Sequence, residues 1–153
     1  MTTEDVEAFK PKKLSDVAAG SQSIALDKSG DLVLFGGSDG TAGVFSVSEK
    51  KVTARLEGAG GAVTDVQWIG SRIAIASSSG AVQVFDDGAE VSSFTRHAGA
   101  VTAVAVHPSG EILASVGVDK SFVFYDLEKS VVASQTFTNT SESLSSTRIY
   151  AAF

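Results

Sequence analysis

His97, Ser115 and Asp119 are the side-chain types from which a hydrolytic site is assembled. In such a site a histidine takes the serine proton, and a carboxylate orients that histidine and stabilises its charged form. The three types are not enough. The serine must stand in the open on a sharp turn, beside N–H groups that receive the developing oxyanion. Ser115 lies in Leu113-Ala114-Ser115-Val116, and neither a nucleophile elbow nor an oxyanion-hole motif accompanies it. A serine hydrolase using His97, Ser115 and Asp119 is therefore the alternative reading, and it requires a solvent-open Ser115.

The other chemical signals are short and have plain explanations. Gly58-Ala59-Gly60-Gly61 has the composition of a phosphate loop, but no Lys-Ser or Lys-Thr follows and no helix begins there. Asp86-Asp87 falls in a turn with no partner acid, which gives no glycosidase pair. With no cysteine, disulfides, thiolate zinc sites and a cysteine nucleophile are excluded. Two histidines cannot form a His-rich metal cage, and no motif asks for a cofactor. Asn139-Thr140-Ser141 fits the glycosylation pattern, yet the first residues, MTTEDVEAFKPKK, show no secretory signal. Lys10-Pro11-Lys12-Lys13 reads as a solvated linker cluster or, alternatively, a nuclear-import patch. Twelve Lys and Arg against 18 Asp and Glu give a net charge of −6. That charge argues against direct nucleic-acid binding, where cations supply most of the attraction, and against anionic membranes. No apolar run approaches the ~20 residues that span a bilayer.

The elements that would position these residues come as repeats. Gly30, Gly70 and Gly110 recur every 40 residues, as do Asp39, Ser79 and Asp119, and Phe45, Phe85 and Tyr125. Upstream of the glycine the second-to-third offset falls to 38, because Trp68-Ile69-Gly70 stands where Val106-His107-Pro108-Ser109-Gly110 stands in the third copy. Such a shortening belongs in a turn. Each copy reads as four short strands. In the third they are Thr102–Val106, Ile112–Ser115, Phe122–Tyr125 and Val131–Ser134, rich in Val, Ile and Phe and separated by turn residues. Inner strands such as Leu32-Val33-Leu34-Phe35 are apolar on both faces, which suits a sheet packed between two others. The sole tryptophan, Trp68, falls on a first strand and is expected in the core. A ~40-residue unit of four antiparallel strands is a β-propeller blade.

The third copy resembles a WD40 repeat. Arg96-His97 stands at the Gly-His position, Leu113-Ala114-Ser115 at the second strand's Leu-Ala-Ser, Asp119 in the tight turn, and Tyr125-Asp126 at the Trp-Asp position. The resemblance implies a hydrogen-bonded structural tetrad of His97, Ser115, Asp119 and Tyr125, the last keeping a hydroxyl in place of the indole. The first copy keeps Asp39 but has Phe45-Ser46; the second keeps Phe85-Asp86 but has Ser79 and Ala59 at the Asp and His positions. The whole chain is similar to the start of the propeller in the pre-mRNA-processing factor 19 family. That likeness rests on Phe9-Lys10-Pro11-Lys12-Lys13-Leu14 ahead of the repeats, on Ile24-Ala25-Leu26-Asp27 through Gly36-Gly37-Ser38-Asp39, and on Thr147-Arg148-Ile149-Tyr150-Ala151-Ala152-Phe153. It implies a splicing-linked ubiquitin ligase whose U-box and coiled coil have no counterpart in these residues, so ubiquitin transfer would belong to a parent protein.

The expectation is an all-β chain of WD40 propeller blades, three plus the first strand of a fourth, in an incomplete ring. Residues 1–20 form a linker, repeats occupy about 21–56, 57–94 and 95–137, and a further repeat starts at 147–153. Rings close with about four to eight blades, so the terminal sheets should expose apolar surface, as in a partial product, and the chain alone should self-associate. Function is expected in protein docking, with no catalytic residue, cofactor or metal. The loops Glu57–Gly61 and Thr95–Ala100 and the turns at Asp39, Ser79 and Asp119 should share one rim, with Arg96 and Lys120 as its charged partner-binding candidates. The family resemblance implies splicing-complex subunits or ubiquitylation substrates as partners, in the nucleus; a WD40 scaffold of an unrelated complex is the other option.

Overall fold

The computed structural model describes residues 20–129 and 131–136. Among them are strands and turns but no helix. Three four-stranded antiparallel meanders follow one another along the chain. Blade 1 contains β1 (Ser23–Leu26), β2 (Leu32–Gly36), β3 (Ala42–Ser46) and β4 (Lys51–Leu56). Blade 2 contains β5 (Val63–Ile69), β6 (Arg72–Ser77), β7 (Ala81–Asp86) and β8 (Ala89–Thr95). Blade 3 contains β9 (Val101–Val106), β10 (Ile112–Gly117), β11 (Ser121–Asp126) and β12 (Val131–Thr136). The strands of blade 3 run slightly past the apolar runs that predict them, taking in Gly117, Ser121 and Thr136. Ladder pairing is a backbone property and continues through small polar residues. The linker expected over 1–20, Gly20 apart, and the strand expected over 147–153 lie outside the described residues.

Successive side chains of a strand point to opposite faces, and the register assigns each face a neighbour. In blade 1, Leu34 pairs with Val44 and Gly36 with Ala42. That face packs on Ile73, Ile75 and Phe85 of blade 2 to form one core. In blade 2, Ala74 pairs with Val84 and Ala76 with Val82. This second face packs on Leu113, Val123 and Tyr125 of blade 3 to form the other core. β6 and β7 are thus buried on both sides, as the apolar run Ile73–Ala76 requires; within β7 the buried Gln83 interrupts the apolar residues and donates to Glu90. The outer strands β4 and β8 alternate between exposed and half-buried residues.

Polar ties reinforce the junctions along the inner strands. Asp65 on β5 accepts from Ser23 Oγ of β1 at 3.0 Å and from the Val104 N–H of β9 at 2.9 Å, so one carboxylate spans three blades. Trp68, half-buried, packs against the first core, and its Nε1 donates to the Ala25 carbonyl at 3.3 Å. It sits at the margin of the core because its indole N–H must reach an acceptor.

Close approach fixes the turns at the rim. Gly80 has φ +90, and a Cβ there would lie 2.5 Å from the His97 carbonyl oxygen and 3.0 Å from that of Gly99. Gly70 is also left-handed, at φ +62, but open space surrounds it. Gly70→Ala should therefore cost about 1 kcal/mol, the ordinary penalty for a Cβ in that region. Gly80→Ala should cost on the order of 3 kcal/mol, because the incoming loop of blade 3 must also move. Urea midpoints at unchanged slope check the difference.

Candidate functional site

β9, β10 and β11 and the loop ahead of them bring His97, Ser115, Asp119 and Tyr125 into one chain of hydrogen bonds. His97 Nδ1 is 3.0 Å from Asp119 Oδ1, and His97 Nε2 is 2.7 Å from Ser115 Oγ. Ser115 Oγ is 3.0 Å from Tyr125 Oη. One proton arrangement satisfies every member: Tyr125 donates to Ser115, Ser115 to His97 Nε2, and His97 Nδ1–H to the carboxylate. Ser115 and Tyr125 share a face because Leu113 pairs with Tyr125 and Ser115 with Val123. That face is the one turned toward blade 2, where Phe94 of β8 lies 4.8 Å from the Tyr125 ring.

Asp119 anchors the loop as well as the imidazole. Its Oδ2 accepts the Ala98 N–H at 2.8 Å. Its Oδ1 accepts from Ser121 Oγ at 2.7 Å and from the Ser121 N–H at 3.2 Å. Partial burial pushes the carboxyl pKa up, but hydrogen bonds from His97, Ser121 and the Ala98 N–H outweigh it and hold it well below the usual carboxylate range. Burial pushes the Tyr125 phenol up, opposed in part by Ser115.

Ser121 was not among the sequence candidates, although its signal is present. Asp119-Lys120-Ser121 repeats the pattern of Asp39-Gly40-Thr41, in which Thr41 Oγ1 donates to Asp39 at 2.8 Å. Both are side-chain-closed turns.

The same positions in blade 2 are apolar. Ala59, Ile75 and Phe85 replace His97, Ser115 and Tyr125, and all three belong to the core between blades 1 and 2. Ser79, in the place of Asp119, still ties the loop by donating to the Ala59 carbonyl at 2.9 Å.

The hydrolytic order Asp–His–Ser is present in space, but Ser115 has no exposed surface. Its oxygen is committed to His97 and Tyr125, leaving a substrate carbonyl neither access nor a donor pair. Arg96 and Lys120, each beside a network residue in sequence, are exposed. Among the described residues neither takes part in an ion pair. Lys120 has φ +62 where Gly40 and Gly80 stand in the earlier blades. The interblade loops and tight turns do meet on one rim. The Ser78 N–H donates to the Ala62 carbonyl and the Val118 N–H to the Ala100 carbonyl, each at 2.9 Å.

The WD domain, G-beta repeat family matches residues 88–126. That stretch is similar to a single WD40 repeat. The matched stretch begins at the turn before β8 and ends with β11, so the WD40 sequence repeat straddles two blades and contains all four network residues. Pre-mRNA-processing factor 19 homolog 2 of Arabidopsis thaliana is 31% identical over 104 residues, which is 63% of this chain and 20% of that protein. The chain thus spans about a fifth of the length of this curated relative. A chain in the crystal structure of a mitotic checkpoint complex superposes with a TM-score of 0.72 at 21% identity, over 76% of this chain and 37% of that one. At that identity the likeness concerns the WD40 fold.

Two outcomes test the network. Ser115→Ala should destabilise by about 1–3 kcal/mol, since it strands two buried polar partners. Replacing all four residues by the blade 2 set (His97→Ala, Ser115→Ile, Asp119→Ser, Tyr125→Phe) should cost less than the sum of the four single changes. Urea unfolding measures both. The Asp119 carboxyl is lowered in the folded state, so its stabilisation is complete at neutral pH and drains away as pH falls below about 4. Asp119→Asn should flatten the stability profile in that acid window.

Proposed function

We propose that this WD40 chain is a docking scaffold that holds other proteins on the rim formed by its interblade loops and tight turns. The observation that carries the reading is the pairing of a fixed backbone with unspent charge. Asp119 ties the loop at Ala98 to the turn at Ser121, while Arg96 and Lys120 on either side remain exposed. A rigid, loop-built surface presents side chains to a partner without ordering cost at the moment of binding. The buried network has the part of a structural tetrad that sets this rim, and Arg96 and Lys120 are the contact residues.

The likeness to pre-mRNA-processing factor 19 homolog 2 supports a finer version: partners drawn from the pre-mRNA splicing machinery, or substrates of a ubiquitin ligase of that family, in the nucleus. The net charge of −6 favours reaching such a complex through protein contacts instead of RNA phosphates. Affinity purification of the tagged chain from nuclear extract, followed by mass spectrometry, tests it. Splicing-complex proteins should be enriched, and Arg96→Glu with Lys120→Glu should reduce that enrichment at least tenfold while leaving the melting temperature unchanged. Enrichment of an unrelated assembly overturns the splicing assignment. Splicing proteins retained at full strength by the double variant overturn the rim.

A further inference from the structure

The two junctions inside the chain are one interface used twice. Positions 40 residues apart occupy the same side each time. Leu34, Ala42 and Val44 of blade 1 face Ile73, Ile75 and Phe85 of blade 2. Ala74, Val82 and Val84 of blade 2 then face Leu113, Val123 and Tyr125 of blade 3. Each blade therefore has a leading face and a trailing face, and leading always meets trailing.

Among the described residues one face of each kind is left over. The trailing face of blade 1 carries Val33, Phe35 and Phe45, which line an apolar groove of about 520 Å³. Ile24, on the lip of that groove, is 72% exposed. The leading face of blade 3 carries Phe122 and Phe124, stacked edge to face at 4.5 Å, with Phe124 39% exposed. They stand where blade 2 has Val82 and Val84, so this face presents more bulk than its equivalent in the middle of the chain.

We infer that the leading face of blade 3 docks into the trailing groove of blade 1 on a second copy of this chain, and reciprocally, giving a closed pair. The register argues for head-to-tail contact: neither like-with-like arrangement occurs at either internal junction. Heterologous contacts close into a ring when the rotation allows it. Two copies bring six described blades, inside the range of about four to eight that close. The pair does not depend on Arg96 or Lys120, so it stands or falls separately from the rim reading.

Sedimentation velocity of the full 153-residue chain across micromolar concentrations is the test. The wild type should sediment at twice the chain mass. Ile24→Glu and Phe124→Glu, both at exposed positions and with circular dichroism confirming the fold, should each halve that mass. A mixture of the two variants retains one good junction and should recover association. A monomeric wild type, its end faces covered by residues 1–19 or 137–153, overturns the inference. So does a dimer that survives either single substitution, which indicates like-with-like pairing, and so does a mass that keeps growing with concentration.

Discussion

A four-stranded sheet that is apolar on both faces has no stable existence in water by itself, and that constraint organises this molecule. Each blade buries its inner strands only by lending one face to each neighbour. Full burial of a large apolar side chain contributes about 1.5–3 kcal/mol, whereas a hydrogen bond contributes a net of about 1 kcal/mol. Junctions built from Leu34, Ile73, Ile75 and Phe85, and from Val82, Val84, Leu113 and Tyr125, therefore hold the blades together. The polar groups decide how the blades sit. Asp65 fixes the spacing of the inner strands, and the His97–Asp119 bond fixes the loop that leads into blade 3.

Blades 2 and 3 solve the same local problem in two ways. A buried polar network is safe only when each member is satisfied; blade 3 meets that condition with four side chains and the help of Ser121. Blade 2 discards the network, fills the volume with Ala59, Ile75 and Phe85, and keeps a side-chain tie from Ser79 to the Ala59 carbonyl. The apolar version packs well but leaves its loop with fewer fixed points. The polar version gives up some packing and holds its loop at both ends, which is why the rim reading centres on blade 3.

The strands and their repeat were legible because a 40-residue period of Gly, Asp or Ser, and aromatic residues survives even where the polar motif decays. Asp119 was legible through that period, and His97 and Ser115 through the third copy's resemblance to a WD40 repeat at its Gly-His and Leu-Ala-Ser positions. Asp65 was not. Its partners Ser23 and Val104 are 42 and 39 residues away, its equivalents in the other copies are Ser23 and Ala103, and one of its acceptor contacts is to a backbone N–H that no side-chain pattern encodes. Trp68 was expected in the core and lies half-buried at its margin, because a hydropathy reading counts the ring and not the indole N–H that must find a carbonyl.

The placement of Trp68 has an optical consequence. As the sole tryptophan, bonded to Ala25 across the junction of blades 1 and 2, it makes intrinsic fluorescence a gauge centred on that junction. Emission will shift when blade 1 separates from blade 2, whatever happens around Tyr125 farther along. Circular dichroism averages over all three sheets. Superimposable curves from the two signals would mean that the blades let go together; displaced curves would resolve the order in which the arc comes apart.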